Sequence, residues 1–440
     1  MRSYCKPRSP IACSIFILLS VPAFADDLPR ARPDAVGLSP DRLKKIDELV
    51  ARAVADKQVA GGVMLLARKG KVGYLQGIGR ADVESNRPMA PDAIFRIASM
   101  NKPITSVAAM MLVEDGKLKL EDSVSKYIPE FKEPKVLVQG KGKGDKEDDY
   151  KLVPSEREIT VRDLITHTSG IVYRFFAPKH LAAFYVKANI NDGLSQDDEK
   201  LADNIKRLAG LPLLHQPGSA WTYGLNTDVL GRVVEVASRK SLDEFFRERI
   251  FTPLGMRDTA FYPPPEKVAR IAALYRPGGD KKIVRIGRDP VQMGQLTYSA
   301  TYPYEGPHSY YSGGAGLTST AADYARFLQM LLDGGKAGDK QLLKAETVKQ
   351  MTQNQIGKLT LGFGAHGDGF GYGFGVVTPN MEGKTPMSVG SYSWGGIFYT
   401  YFWVDPNKEL IGVMMTQIFP SDHLKLRENF TKLAYEALKD

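Results

Sequence analysis

Cysteine is almost missing from this 440-residue chain: there are two, Cys5 and Cys13, and both lie in the first 25 residues. Once that segment is removed no thiol remains, which excludes disulfides, cysteine nucleophiles and thiolate metal sites. Histidine is sparse too. His167, His180, His215, His308, His366 and His423 form no i, i+3 or i, i+4 pair, so no zinc motif is present and no metal or other cofactor is expected. After residue 25 no stretch approaches the roughly 18 consecutive apolar residues of a membrane span. Lys and Arg are nowhere interleaved with aromatics in a run, which argues against nucleic acid as a partner. A Gly-x-Ser-x-Gly elbow is absent, as are internal repeats and low-complexity segments. The glycine-rich stretch 362–373 lacks a strand–helix unit and a Walker lysine, so it reads as a loop at a pocket rim and not as a nucleotide site.

What the chain does have begins with a secretory pattern. Arg2, Lys6 and Arg8 give a basic start, Ile11 to Val21 a short apolar core, and Ala23-Phe24-Ala25 an A-x-A cleavage site before Asp26. The expectation is export, to a bacterial periplasm or beyond, with no membrane anchor after cleavage. Losing three basic residues takes the formal charge from +9 to +6 over the remaining 415 residues, a mild excess. The mixed-sign, glycine-rich stretch 141–149 reads as a solvated loop.

Ser99-Met-Asn-Lys102 is the most informative short motif. Residues three apart share a helix face, so the Lys amine can reach the Ser hydroxyl and help remove its proton when burial and nearby charge favour the neutral amine. Ser3 to Lys6 and Ser123 to Lys126 have the same spacing, but the first is in the export segment and the second has no apolar helix behind it. From Ser99 the residues Ile104, Val107, Ala108, Met111 and Leu112 follow helical periodicity up to Gly116, with Pro103 in the first turn. Ser99 is therefore expected at the positive end of a helix, with its backbone N–H directed at a substrate carbonyl.

Along the chain, Ser39-Pro40-Asp41 caps a helix, and Gly62–Arg68 with Val72–Ile78 reads as a hairpin. Residues from about 122 to 300 read as helical and loop-rich, with helices near Arg162–Thr166, Asp197–Ala209, Thr227–Ala237 and Leu242–Ile250. A helix at Asp323–Leu332 precedes strands at Tyr372–Val377, Tyr392–Trp403 and Leu410–Thr416, and an amphipathic helix closes the chain. The arrangement implies a sheet built from both ends, residues 26–121 and 301–440, with a mainly helical domain at 122–300 inserted between them. Pockets favour such domain interfaces.

Two further groups carry candidate chemistry. Tyr223, in Gln216-Pro-Gly-Ser-Ala-Trp-Thr-Tyr-Gly-Leu-Asn-Thr-Asp228, stands on a tight loop before a helix; a free Tyr titrates near 10, so it serves as a base at neutral pH only beside a cation such as Lys102. In Ser391-Tyr-Ser-Trp-Gly-Gly-Ile397 the paired glycines let backbone approach a ligand, so an edge strand here could offer a second oxyanion N–H, while a bulge or hairpin bend is the plainer alternative.

In this order, and together with Leu164-Ile-Thr-His-Thr-Ser-Gly170 and Gly313-Gly-Ala-Gly-Leu-Thr-Ser-Thr-Ala321, these motifs resemble the serine β-lactamase and penicillin-binding superfamily, in particular its class C-like branch with the family VIII carboxylesterases. The resemblance implies an α+β, β-lactamase/transpeptidase-like fold: an antiparallel sheet flanked by helices plus an inserted helical domain. It implies Ser99 as acylated nucleophile, Lys102 and Tyr223 sharing base and acid work, and the N–H groups of Ser99 and Ile397 as oxyanion hole. His167, in the Thr-His-Thr-Ser-Gly turn, is expected to be structural.

Two departures from that pattern bear on substrate. Class C β-lactamases have Tyr-Ser-Asn where this chain has Tyr223-Gly224-Leu225, so the amide that orients a β-lactam is replaced by Leu225, and Asn226 stands one residue late. The Lys-Thr-Gly that supplies a cation for the β-lactam carboxylate is here Trp394-Gly395-Gly396, the form found in family VIII esterases. With Leu225, Trp394, Gly395 and Gly396 as substrate-binding residues, the expected partners are a small, neutral, short-acyl ester and water, with weak β-lactam hydrolysis as a side activity. The alternatives are a β-lactamase, a D-Ala or D-amino-acid amide hydrolase, an acyltransferase, or a non-catalytic cell-wall binding protein.

Overall fold

The computed structural model describes residues 1, 28–140, 150–279, 282–362 and 367–439; residues 2–27, which include most of the stretch 1–25 expected to direct export, the charged stretch 141–149 and residues 363–366 of the glycine-rich stretch lie outside the described residues. Both ends of the chain build one eight-stranded antiparallel sheet. The N-terminal part gives β1 (Gly61–Arg68), β2 (Lys71–Asp82) and β3 (Arg87–Pro88). The C-terminal part gives β4 (Gly369–Phe370), β5 (Gly375–Val376), β6 (Tyr392–Gly396), β7 (Thr400–Asp405) and β8 (Leu410–Met415). In space they run β4-β5-β6-β7-β8-β1-β2-β3, so β1 and β8, far apart in sequence, pair at the centre.

Helices cover both faces, which is why β1 and β8 are continuous apolar runs and not alternating ones. On one face Met64, Leu66, Trp403 and Met414 pack with Leu43, Ile46 and Val50 of α1 (Pro40–Ala55) and Phe430 and Ala434 of the C-terminal helix Leu426–Glu436. Val63, Leu65, Phe402 and Val413 turn to the other face, against α2 (Asn101–Glu114) and the helix Ala321–Leu332. The large antiparallel sheet with its helices is the β-lactamase/transpeptidase-like α+β architecture. None of the helices among the described residues is long and apolar enough to cross a membrane.

α2 runs through the middle of the molecule. Its spacing implied one apolar stripe, yet residues from Asn101 to Leu112 are buried without interruption. Its polar residues are satisfied by the chain around it: Asn101 Nδ2 and Thr105 Oγ1 both donate to Gly313 O, at 2.9 and 2.6 Å, and Leu317 N donates to Asn101 Oδ1 at 3.0 Å. The segment from 122 to 300 contains α3 (Val161–Ile165), helices Lys179–Lys187 and Leu201–Ala209, and α4 (Asn226–Ser238), which packs against α2. It also carries three small hairpins at 135–154, 275–285 and 291–298 that the sequence pattern did not suggest.

The strand expected at Tyr392–Trp403 is instead two, β6 and β7, paired with Gly396 opposite Thr400 and joined through Ile397, Phe398 and Tyr399, whose φ of +67° makes the reversal. The reversal falls directly after the Gly395-Gly396 pair, where the sequence offered a hairpin bend as the plainer alternative to an edge strand. Likewise Tyr372–Val377 is not one strand: Gly369–Phe370 pairs with Gly375–Val376 across a turn at Gly373, φ +91°.

Candidate active site

Ser99 stands in a 3-10 turn, Ala98–Met100, that leads into α2, one residue before the α-helix proper. Ala98 has φ +43°, a left-handed conformation that costs an alanine on the order of 1–3 kcal/mol and persists only where its surroundings enforce it. They do so on both sides: Ile97 N donates to Leu317 O at 3.1 Å, and Tyr324 Oη donates to Met100 O at 2.7 Å. Within this clamped, buried turn Ser99 alone is partly exposed, toward a cavity of about 180 Å³. The same cavity is lined by Tyr223, Trp394, Gly395, Gly396 and Ile397, so the structure brings three distant motifs to one place.

Gly396 explains how the β6 end comes so close. A Cβ there would collide with Ile97 O and Thr400 Oγ1, so only glycine lets the strand lie against the turn that carries Ser99. β5 pairs only with Tyr392 and Ser393, so the Trp394–Gly396 end runs past it as a local edge facing the cavity. Ile397 follows directly, with its backbone on the wall that Ser99 shares.

Lys102 lies behind that wall, fully buried, one helical turn from Ser99. Its Nζ is 3.1 Å from Ser99 Oγ, 3.0 Å from Tyr173 Oη and 2.8 Å from Gly314 O. Nζ donates to all three oxygens, so the amine is held by the serine hydroxyl on one side and by a phenol and a carbonyl on the others. Nζ also lies 4.7 Å from the centroid of the Tyr223 ring, which is in turn 5.1 Å from the His167 ring. Trp394 Nε1 donates to Tyr223 Oη at 3.3 Å.

Tyr173 is a member of this group that sequence reasoning did not place. It sits in Tyr173-Arg-Phe-Phe176, a stretch with no motif signature, and burial, reinforced by Asp228, Tyr223 and Asp192, pushes its phenol well above its usual 10, keeping it protonated. Asp228 supports the other side: it accepts from Ser312 Oγ at 2.6 Å and Gly314 N at 3.4 Å, holding the turn whose carbonyl receives Lys102. The sequence signals were slight: Tyr173 stands three residues after the Leu164–Gly170 motif, and Asp228 closes the Tyr223 motif.

Leu225 requires a correction. It is fully buried in the core at the start of α4 and is not among the cavity-lining residues, so it does not contact substrate. The one-residue step from Tyr223 through Gly224, whose Cβ would collide with Ile171 O, turns it inward. Asn226 is buried as well. Its Oδ1 accepts from Ser169 Oγ, and its Nδ2 donates to Ile171 O and His167 Nδ1, each at 3.1 Å. It is a bracket tying the Thr-His-Thr-Ser-Gly turn to α4, unavailable to a ligand. With Nδ1 accepting, His167 is the neutral Nε2–H tautomer, and Nε2 donates to Thr227 Oγ1 at 3.3 Å. Burial, and then the charge of Lys102, hold its pKa well below 6.5, as suits a structural residue. Ser123 caps a short 3-10 turn, and Lys126 pairs with Asp122 at 2.9 Å, far from this chemistry in kind.

The sequence profile of the family described as Beta-lactamase matches residues 46–435. Esterase EstB of Burkholderia gladioli is 32% identical over 377 residues, covering 84% of this chain and 89% of that protein. Protein Rv1367c of Mycobacterium tuberculosis is 34% identical over 371 residues, covering 82% and 86%. Among solved structures, EstCE1, described as a hydrolase with promiscuous acyltransferase activity, superposes with a TM-score of 0.77 at 28% identity, covering 90% of this chain and 98% of that one.

Proposed function

The chain belongs to the Beta-lactamase family, and from that membership and its site we propose that it is a serine carboxylesterase cleaving small, neutral, short-acyl esters through an acyl-enzyme on Ser99. The observation that carries this is the 3.1 Å approach of the buried Lys102 Nζ to Ser99 Oγ, at the wall of a cavity shared with Tyr223 and Ile397.

In the proposed reaction Ser99 Oγ bonds to the ester carbonyl carbon as its proton passes to the Lys102–Tyr223 pair. The N–H groups of Ser99 and Ile397 hold the oxyanion. Collapse of the intermediate breaks the bond to the alcohol oxygen, which leaves with the proton returned through Tyr223. Water repeats the sequence on the acyl-enzyme, releasing the acid and restoring Ser99. Small acyl groups suit a cavity of about 180 Å³, below the roughly 300–1,000 Å³ of drug-sized pockets. Trp394 supplies an apolar wall and spends its donor on Tyr223, so it offers no charge to an anionic substrate. That, with Leu225 buried in the core, supports esters ahead of β-lactams as substrate.

The test is hydrolysis of p-nitrophenyl butyrate and of nitrocefin side by side, with Ser99→Ala as control. Fast ester cleavage with slow nitrocefin turnover, both lost in the variant, is the expected result. Comparable or faster nitrocefin cleavage would move the β-lactamase reading into first place. We further infer export, from the basic, apolar and A-x-A pattern of residues 1–25; the expected mature N-terminus is Asp26, readable by mass spectrometry of a periplasmic fraction.

A further inference from the structure

One carboxyl on the cavity wall has no part in the chemistry above. Asp192 is almost wholly buried, with its side chain 1% exposed, yet it lines the same cavity as Ser99. Neither of its carboxyl oxygens has a hydrogen-bond partner among the described residues. Its one charged contact is Arg174 Nη2, 3.3 Å from Oδ2.

The loop that presents it is clamped. Asn204, on the helix Leu201–Ala209, accepts from Asn191 N and donates to Asn191 O, each at 2.9 Å. Asn191 Oδ1 accepts from Gly193 N at 2.7 Å, and Gly193 holds φ +82° against Ser312. Asp192 is thus fixed by the backbone on either side of it, with Arg174 as its partner. Burial pushes its carboxyl up to about 7, with Arg174 opposing and Asp228 adding to the rise. A buried carboxyl that meets a single cation at a ligand cavity has acceptor capacity left over, which a donor on a ligand can fill.

We propose that Asp192 is a specificity-determining residue whose carboxyl receives a hydroxyl group carried by the ester, so that the enzyme selects hydroxylated esters over their unsubstituted counterparts. An ammonium group suits the site less well, because Arg174 stands beside the carboxyl, Arg427 lines the cavity and Lys102 lies behind its wall. A hydroxyl donates without that repulsion. An apolar group at the same place would leave the carboxyl's remaining acceptor capacity unused. The inference rests on the esterase reading above.

Two ester pairs test it and show which side of the ester bears the hydroxyl: p-nitrophenyl 3-hydroxybutyrate against p-nitrophenyl butyrate, and 2-hydroxyethyl butyrate against propyl butyrate. The expected kcat/KM ratio of hydroxylated to plain ester is about tenfold or more in one pair, the size of a hydrogen bond to a charged group. It should fall several-fold in Asp192→Asn, which keeps shape and one acceptor, and toward one in Asp192→Ala. The ratio separates selectivity from any loss of folded protein. A ratio near one in both pairs, or one unchanged in Asp192→Asn and Asp192→Ala, overturns the inference while leaving the esterase reading in place. No cleavage of any of the four esters removes both.

Discussion

Trp394 Nε1 donates to Tyr223 Oη across 3.3 Å, joining the end of β6 to the loop before α4. Trp394 also packs edge-on to Phe370, with ring centroids 5.3 Å apart, so the indole is held by its face while its one donor is directed at the phenolic oxygen. A residue that looked in sequence like a substrate wall is equally a partner of the proposed acid–base group.

Trp394→Phe should keep the aromatic contact and lose the donor. Turnover of p-nitrophenyl butyrate should drop about 2- to 10-fold, corresponding to a hydrogen bond of about 0.5–1.5 kcal/mol, and kcat should fall more than KM changes. Steady-state kinetics decides it; unchanged kcat would mean that the bond is incidental.

Ser99→Ala should abolish turnover and labelling by a fluorophosphonate without changing Tm. Tyr223→Phe should lower kcat by about 10²–10⁴, the usual weight of a general acid–base group. Near-full esterase activity in either purified variant would remove the assignment, and Ser123 offers no rescue because its lysine is engaged with Asp122.

Tyr173→Phe removes one of the three partners of Lys102 Nζ and leaves the ring in place. Acting through Lys102, Tyr173 is a positioning residue, and its loss should cost about tenfold in kcat with little change in KM. Single-turnover acylation kinetics should show the deficit in the acylation step.

Gly396→Ala places a methyl against Ile97 O, which must move for the chain to close. Because Ile97 opens the turn that carries Ser99, activity should fall by more than tenfold, as small displacements of reacting groups do. Gly287→Ala, where a Cβ meets nothing within 4 Å, is the control in the same assay.

His167 gives the molecule an acid-sensitive element. In the unfolded chain it titrates near 6.5, whereas burial and Lys102 keep the folded ring neutral well below that. Below pH 6.5 the unfolded state therefore takes up a proton that the folded state refuses. Stability should fall with decreasing pH at about 1.4 kcal/mol per unit from this residue, and be insensitive to it above pH 7. His167→Asn, which tolerates the φ of +59° found here, should flatten the slope of unfolding free energy between pH 7.5 and 5.5 in urea titrations.

Much of the fold was legible because periodicity and punctuation are local. α1 starts where Ser39-Pro40 announces it, with Ser39 Oγ accepting from Arg42 N, and the β1–β2 hairpin turns where Lys69-Gly70 permits. The β6–β7 reversal was legible only as an alternative, a bend at the Gly395-Gly396 pair; its exact place is set by Tyr399 in a left-handed conformation, a choice made by the packing around it.

The sequence alone determined the chemistry that depends on short spacing: a serine and a lysine one turn apart, a tyrosine ahead of a helix, and a glycine pair able to approach closely. Only the tertiary structure decided which way each side chain faces. Leu225 and Asn226 adjoin Tyr223 in the chain, yet both turn into the core, while Tyr173, Asp192 and the Gly314 carbonyl come from separate segments to surround Lys102 or line its cavity. The reason is physical: a buried amine must find its acceptors wherever the packed chain supplies them, and sequence distance places no limit on that search.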